Sequence, residues 1–508
     1  MTNGAPIPAT RPLAELLRGL LEAPPGIAVS DVTLDSREAT PGALFLACRG
    51  HTRHGLQFAG EAVARGARAV LFEPPAEGPS PAPHFGQGVF VAAVSQLARQ
   101  AGVIADRFFE RPSRSLAVAG ITGTNGKTTC AWLLAQALTR CGRPAAYMGT
   151  LGFGLPGALE DTQHTTSDAV TVHRRLARLR GLGARWVGME VSSHALDQER
   201  IAGVRFHTAA FTNLSRDHLD YHGTMDAYGR TKARLFELEL ESRVINVDDA
   251  FGAQLAARAA AQSLIVTMRS GAGAPPPGAR RVRASQVRPA SPGLRMRIDS
   301  SWGEGALAVP LIGAFNADNA LTVLAILLGA HVPLPEALAA LSGCRGAPGR
   351  MEAFGGEGGR PLAIVDYAHT PDALEKALRN ARLHCSGRLH VVFGCGGDRD
   401  AGKRPMMGRI AAELADEVIV TDDNPRTEPP GRITADILGG IEVSARIRIE
   451  HDRRSAIRLA LAHCDPGDVV VVAGKGHEAY QIYGRERRPF RDQAVVREVL
   501  GLEGLAHE

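Results

Sequence analysis

The sequence predicts an α/β protein with mostly parallel sheets, divided into three domains. Short apolar runs alternate with helix-length amphipathic segments, and polar or glycine-rich stretches follow the apolar runs. The length of 508 residues suits roughly three domains of about 150 residues each. In parallel sheets ligands gather at the carboxyl ends of the strands, so the polar stretches are where chemistry is expected.

The first domain is expected over residues 1–113. It carries the strand and turn patterns VTLDSREATPGALFLACRG and ARAVLFE, then the Pro/Gly stretch EPPAEGPSPAPHFGQG. The second, 114–345, opens on SLAVAGITGTNGKTT, which reads as a strand and a glycine-rich turn, and continues in the helix TCAWLLAQALTRCG. Apolar runs with polar ends follow (ARWVGMEVSSH, FHTAAFTNLSRDH), and the helix NADNALTVLAILLGA closes it. The third, 346–508, repeats the alternation in Rossmann-like fashion through RPLAIVDYAHT, LHVVFGCGGD, DEVIVTDDNPR and DVVVVAGKGHE.

Composition excludes other classes. An apolar fraction of 44% with 22% charged residues is ordinary for a globular protein and unlike a fibre or a disordered chain. No apolar run approaches the ~18 residues of a membrane span, and MTNGAPIPATRPLAELL lacks the pattern of a signal peptide. Seven cysteines without a CxxC pair suit a reducing compartment and give no zinc-site spacing. A cytoplasmic protein without membrane insertion is expected. The net charge of +5 is too small and dispersed to require nucleic acid. Arg280, Arg281, Arg283 and Arg288 lie in a Pro/Gly-rich stretch without interleaved aromatic residues, which reads as a solvated loop.

Only five of the 58 basic residues are lysine: Lys127, Lys232, Lys376, Lys403 and Lys475. A chain that uses arginine for generic surface charge keeps lysine where a compact ammonium or a free amine matters. Four of the five fall in glycine-rich or charged stretches. Lys376, within PDALEKALRNAR, reads as a surface helix residue.

The strongest motif is GITGTNGKTT. Gly120, Gly123 and Gly126 precede Lys127, Thr128 and Thr129. Glycines let backbone N–H groups turn inward around phosphate oxygens at a helix N-terminus, the lysine meets the outer phosphates, and a threonine hydroxyl can ligate magnesium. Ile121 stands where the strict P-loop pattern has its first glycine, so the motif is a variant, and it predicts nucleoside triphosphate binding. Magnesium needs hard oxygen ligands. Glu190, ending WVGME, reads as either an inward carboxylate at a strand tip or a solvated terminus, and His218 in NLSRDHLDYHG as either a ligand or a satisfied core histidine.

GITGTNGKTT, MEVSSHAL, TNLSRDHLDYHG with YGRTKARLF, GAFNADN, GRME, VDYAHTPD, GCGGDRDAGKRP, DNPR and GKGHE occur in this order from about Leu34 to beyond Glu478. In this the chain resembles the Mur ligases, and among them the diaminopimelate-adding members. The resemblance implies an N-terminal uridine-nucleotide domain, a central P-loop ATPase domain and a C-terminal Rossmann-like domain that binds an amino acid. It implies an ATP- and Mg2+-dependent amide ligation: the γ-phosphoryl group activates the D-glutamate carboxylate of UDP-N-acetylmuramoyl-L-alanyl-D-glutamate, and the amine of meso-diaminopimelate attacks the acyl phosphate. Small-molecule substrates and a monomer are expected. A lysine-adding or folylpolyglutamate-type ligase is the near alternative, and a P-loop kinase the distant one.

By the same resemblance Gly123, Thr124, Asn125, Gly126, Lys127, Thr128 and Thr129 bind ATP, joined by Asn316, Arg350, Asp366 and His369. Thr128, Glu190, His218 and Lys232, the last as a carbamate, hold magnesium, and Lys127, Glu190, His218 and Lys232 carry the catalysis. Leu34, Ser36, His51, Thr52 and Arg53 match the uridine side of the substrate, and His164, Thr165, Thr166, Ser192, Gln198 and Arg200 the muramoyl-dipeptide. Two departures stand out: His54-Gly55-Leu56 replaces an Asp-Gly-His, and His164 replaces an asparagine. Arg399, Asp423, Asn424, Pro425, Arg426, Gly474 and Glu478 match the diaminopimelate site. A planar guanidinium at Arg426 could grip, with two charge-assisted hydrogen bonds, the carboxylate that diaminopimelate has and lysine lacks.

Overall fold

Short aliphatic and β-branched runs become strands buried on both faces, as parallel pairing requires. The computed structural model describes residues 10–50, 53–74, 85–86, 88–162, 165–269, 276–290, 293–441 and 446–502. The chain forms two compact units, residues 1–265 with 276–279 and residues 266–275 with 280–508.

The first unit holds a short antiparallel pair, Arg11–Pro12 with Ala28–Val29, and two larger sheets. Strands β1 (Asp31–Thr33), β2 (Ala43–Ala47), β3 (Ala69–Phe72) and β4 (Phe90–Ala93) pair in that order, all parallel. Val32, Leu44, Leu46 and Leu71 pack against Ile104 and Phe108 of helix α1 (Leu97–Phe108), while Phe45, Val70 and Phe72 pack with Ala59 and Ala62 on the other face. The second sheet is built around β5 (Ala117–Thr122), which leads through GTNG into helix α2 (Lys127–Arg140). It also contains β6 (Ala145–Gly149), β7 (Gly152–Leu155) and β8 (Ala158–Glu160). After helix α3 (Ala169–Gly181) come β9 (Trp186–Glu190), β10 (Phe206–Phe211) and β11 (Ser242–Asn246). The order is β8-β7-β6-β9-β5-β10-β11, with antiparallel pairing only at β7 and β8. Asp168 starts α3 by accepting from the Val170 and Thr171 N–H groups, donors that would otherwise go unpaired.

The second unit opens with an antiparallel meander, β12 (Arg280–Ala290), β13 (Gly293–Ser300) and β14 (Gly303–Val309), followed by the buried helix α4 (Asn316–Gly329). This corrects the expectation of a solvated loop at the arginine cluster. Val282 and Ala284 are buried while Arg281 and Arg283 are exposed, the period-two alternation of a half-buried strand. The Pro/Gly content beside the cluster obscured that alternation. The exposed arginines are the solvated face of a strand.

A six-stranded sheet follows, made of β15 (Glu352–Gly355), β16 (Leu362–Asp366), β17 (Leu389–Phe393), β18 (Glu417–Val420) and β19 (Ile447–Ile449) and, after helix α5 (Arg453–Ala462), β20 (Val469–Ala473). The order is β15-β16-β20-β17-β18-β19, parallel except at β15. Side chains of β17 and β20 alternate between two apolar clusters, one with Leu374 and Met407, the other with Ile457 and Val495, so both faces are covered. Helix α6 (Asp492–Val499) lies on the second face. The fold is α/β with parallel and mixed sheets, as the alternation predicts.

Candidate active site

In the first unit the carboxyl ends of β5, β9 and β10 meet at the glycine-rich turn. Gly123 has φ +147°, and a Cβ there would lie 1.9 Å from Thr212 Oγ1, so the turn admits only glycine. Gly126, at φ +87°, starts α2. The segment after β10 holds the turn open: Asn213 Oδ1 accepts from Asn125 N at 3.0 Å, Thr124 N donates to Asn213 O at 2.8 Å, and Thr212 Oγ1 donates to Asn125 O at 2.6 Å. Lys127 folds back, donating to Gly123 O at 3.0 Å and Thr124 O at 2.8 Å.

Lys232 shares that carbonyl. Its Nζ donates to Gly123 O at 2.8 Å and sits 4.4 Å from the ring centre of Tyr228. Burial, reinforced by the nearby Lys127 charge, pushes its pKa down to about 6. At neutral pH this amine is largely unprotonated and therefore nucleophilic.

Glu190 is 1% exposed at the tip of β9, which excludes the solvated-terminus reading. Oε1 accepts from the Tyr147 hydroxyl and, at 2.8 Å, from Thr150 N; Oε2 accepts from Thr128 Oγ1 at 2.9 Å and Thr150 Oγ1 at 3.2 Å. A buried carboxylate oxygen beside the first threonine of the helix is a hard-oxygen pair that suits magnesium. His218 also starts a helical turn, at φ +51°, with a half-exposed ring beside Asp217 and 4.9 Å from His194. It is thus an accessible nitrogen and not a core histidine, and it makes no direct contact with Glu190.

The dipeptide candidates converge on the same strand tip. Thr165 Oγ1 lies 3.0 Å from Thr150 Oγ1, Thr166 Oγ1 donates to Glu190 O at 2.9 Å, and Ser192 Oγ accepts from Ala195 N at 3.1 Å. Arg200 bonds Thr166 O at 2.8 Å and Gln198 Oε1 at 2.9 Å, while Gln198 Nε2 donates to Tyr221 Oη at 3.0 Å. Thr166 and Ser192 are therefore committed to backbone groups, a positioning role. On the uridine side, Leu34 packs at the edge of the first sheet's core, Ser36 donates to Glu61 Oε2 at 2.7 Å, and Arg53 is exposed. His54 Nδ1 accepts from Leu56 N at 3.1 Å and so caps the following turn. His51, Thr52 and His164 lie outside the described residues.

In the second unit Asp423, Asn424, Pro425 and Arg426 follow β18. Asn424 Oδ1 accepts from Lys475 Nζ at 3.1 Å and Ile482 N at 3.0 Å, and its Nδ2 donates to Glu478 Oε2 at 2.9 Å. Lys475, fully buried, also donates to Glu478 at 3.0 Å and lies 3.9 Å from Asp423. Burial raises the Asp423 pKa, opposed by the Lys475 charge. Gly474, at φ +114°, leaves room for the Asp423 carboxylate, which a Cβ would approach to 2.5 Å. Arg426 adopts φ +55° and donates from Nη1 to Gly397 O at 2.8 Å. A Cβ on Gly396 would touch both the Arg426 guanidinium and the Arg399 stem, so both arginines flank that glycine. Four of the seven expected diaminopimelate residues, Asp423, Asn424, Gly474 and Glu478, thus belong to one hydrogen-bonded or closely packed set around Lys475, and Arg426 and Arg399 meet beside Gly396.

The remaining nucleotide candidates also lie in this unit. Asn316 is buried and bonded at both ends, to Ile312 O at 2.8 Å and Asn319 Nδ2 at 2.7 Å. Asp366 accepts from Met351 N and Ala368 N, and burial raises its pKa. Arg350 lies over the Tyr367 ring at 5.0 Å and His369 beside it at 4.5 Å. Lys403 donates to His369 O at 2.7 Å.

Sequence reasoning missed Tyr147 and Thr150, which orient Glu190, and Tyr228 beneath Lys232. It also missed Tyr367 and the organising role of Lys475, although the scarcity of lysine had marked Lys475 and Lys403. Lys376 is 65% exposed and pairs with Asp372 at 2.7 Å, as expected for a surface residue.

Three family models match: "Mur ligase family, catalytic domain" over residues 28–105, "Mur ligase middle domain" over 121–327 and "Mur ligase, glutamate ligase domain" over 349–476. The chain is 48% identical over 497 residues to a UDP-N-acetylmuramoyl-L-alanyl-D-glutamate--2,6-diaminopimelate ligase of Ectopseudomonas mendocina, covering 98% of this chain and 99% of that one. It is 47% identical to the same-named protein of Pseudomonas aeruginosa, covering 91% and 93%. A solved structure of such a ligase matches with TM-score 0.72 and 35% identity, covering 98% of this chain and 100% of that one. MurF from Acinetobacter baumannii, at 19% identity and TM-score 0.63 with 97% and 100% covered, shares the fold. The chain belongs to the Mur ligase family.

Proposed function

We propose that the chain is the ATP-dependent ligase that joins meso-2,6-diaminopimelate to the D-glutamate of UDP-N-acetylmuramoyl-L-alanyl-D-glutamate, in peptidoglycan precursor synthesis in the cytoplasm. The observation that carries the substrate assignment is the Asp423–Arg426 loop, locked by Lys475 and Glu478 with Arg426 and Arg399 beside one glycine. Near-full-length identity of 48% to a ligase of that name supports it.

The carboxylate is a poor electrophile, so it must first take the γ-phosphoryl group of ATP. Backbone N–H groups at the N-terminus of α2 and the Lys127 ammonium hold the phosphates and draw charge toward the leaving ADP. Thr128, Glu190, His218 and a carbamate on Lys232 would hold magnesium, which supplies charge neutralisation there. Unprotonated Lys232 can add carbon dioxide, forming an N–C bond and releasing one proton, so a buried amine becomes an anion. Thr165, Thr166, Gln198 and Arg200 position the dipeptide. Arg426 and Arg399 grip the distal carboxylate of diaminopimelate, leaving its amine to attack the acyl phosphate and expel inorganic phosphate.

The test is a matrix of amino acids against the UDP-dipeptide, read by product mass. Diaminopimelate should give a new amide and ADP, and lysine almost none. Arg426→Lys should raise KM for diaminopimelate by about 10- to 100-fold with a smaller change in kcat, the loss of one bidentate contact. Equal turnover with lysine would overturn the substrate assignment and leave the ligase chemistry standing.

A further inference from the structure

The second unit carries a side-chain cluster that the ligation does not use. His390 lies on β17, Cys464 follows α5, and Asp468 immediately precedes β20. One ligand atom from each residue lies within 4.8 Å of the other two. Strands β17 and β20 are parallel neighbours, with His390 opposite Val470, so the cluster sits at the amino ends of the strands. The loops after β18 and β20 that hold Asp423 and Gly474 leave from the opposite edge. Four residues of strand, roughly 13 Å, separate His390 from that edge.

Three observations distinguish this cluster from chance proximity. His390 is 1% exposed, and its Nε2 has no hydrogen-bond partner among the described residues. A buried imidazole nitrogen left in this way is costly, so its persistence asks for a ligand. The Nε2 to Asp468 Oδ2 separation is 3.7 Å, too long for a hydrogen bond. Two ligands on a tetrahedral ion with bonds of about 2.0–2.2 Å stand roughly 3.4 Å apart, so the gap is close to what a shared cation requires. On the other side of the ring, Nδ1 faces Glu417 Oε2 at 3.6 Å, and Glu417 is paired directly with His390 across β17 and β18. Glu417 is likewise beyond hydrogen-bond distance, but a carboxylate on that side is placed to accept from Nδ1 and hold Nε2 outward once an ion binds.

Asp468 is pre-set by backbone donors, Arg388 N to Oδ1 at 2.6 Å and Asp465 N to Oδ2 at 2.9 Å, which leave lone pairs on both oxygens. The Cys464 thiol donates to Ala460 O at 3.1 Å and is half-buried, so an ion has a route in.

We propose that His390, Cys464 and Asp468 form a binding site for a zinc-class divalent cation, oriented by Glu417 and separate from the magnesium ligands. One nitrogen, one thiolate and one carboxylate suit a borderline-soft ion and disfavour magnesium, which takes oxygen. Binding expels the thiol proton and ties the turn after α5 to two adjacent strands. No cysteine spacing announces the site, because its one cysteine shares a turn with Asp468 and the histidine comes from a strand far back in the chain.

The test is cobalt(II) titration of the full chain after treatment with chelator, followed by absorption in the near ultraviolet and by metal content after gel filtration. One cobalt per chain is expected, with a thiolate-to-cobalt charge-transfer band that zinc abolishes and millimolar magnesium leaves intact. Cys464→Ser should remove the band, and Glu417→Gln, a positioning change, should weaken cobalt binding about 10- to 100-fold while keeping the band at saturation. The wild-type measurement decides even if a variant folds poorly. No band in the wild type, or a band unchanged in folded Cys464→Ser, would overturn the proposal.

Discussion

Lys232 shows how burial makes a residue reactive. A lysine at the surface stays protonated, whereas here burial and the Lys127 charge bring the amine to about 6. Arginine keeps its charge and cannot form a carbamate. Lys232→Arg should therefore lose activity by on the order of 100-fold, the size of removing one electrostatic partner from the transferring group. Lys232→Ala should recover part of it with a short carboxylic acid. Lys376→Arg should be silent in the same steady-state assay, since its partner Asp372 is 76% exposed. The rarity of lysine singled these positions out as candidates. It could not say that Lys475 would be fully buried, because burial is a property of neighbours distant in sequence.

Among the elements, the turn between β5 and α2 is specified twice, by backbone and by space. Gly123→Ala meets both a positive φ and Thr212 Oγ1 at 1.9 Å, so the turn must open. ATP affinity, measured by equilibrium titration, should fall more than about tenfold, and thermal stability should fall with it, because Gly123 and Thr212 are both buried. A different element anchors the loop after β20. Arg453 and Asp492 are both fully buried, bonded at 2.7 and 2.8 Å, and Arg453 also donates to Ala473 O at 2.9 Å. Asp492→Ala strands a buried guanidinium and should cost about 3–5 kcal/mol in chemical denaturation. Arg453→Met with Asp492→Leu should restore most of that stability, because the desolvated charge is gone. Neither half of this pair stands out in the sequence, where they are 39 positions apart.

At the scale of the whole molecule the buried amine also sets a pH dependence. Lys232 titrates near 6 when folded and near 10.5 when unfolded, so between those values the unfolded chain binds a proton that the folded one does not. In carbon dioxide-free buffer this group should make stability rise as pH increases from about 6 toward 10, and Lys232→Met should flatten that part of the denaturation profile. The α/β class and the strand, turn and helix of the glycine-rich motif were legible because hydrophobic period and glycine placement are local signals, although the helix begins at Lys127, two residues before the stretch TCAWLLAQALTRCG. The arginine-rich stretch misled for the converse reason, since its strand is held by pairing with β13 and not by local propensity. By itself the sequence determined the alternating architecture, the phosphate-binding turn and, through resemblance, the candidate residues. Only the tertiary structure decided which carboxylates and amines lose their water. It buried Glu190 beside Thr128, brought Lys232 and Lys127 to one carbonyl, locked Asn424 between Lys475 and Glu478, and set His390 across from Asp468. Desolvation depends on what packs around a group in three dimensions, and chain order does not encode it in any local pattern.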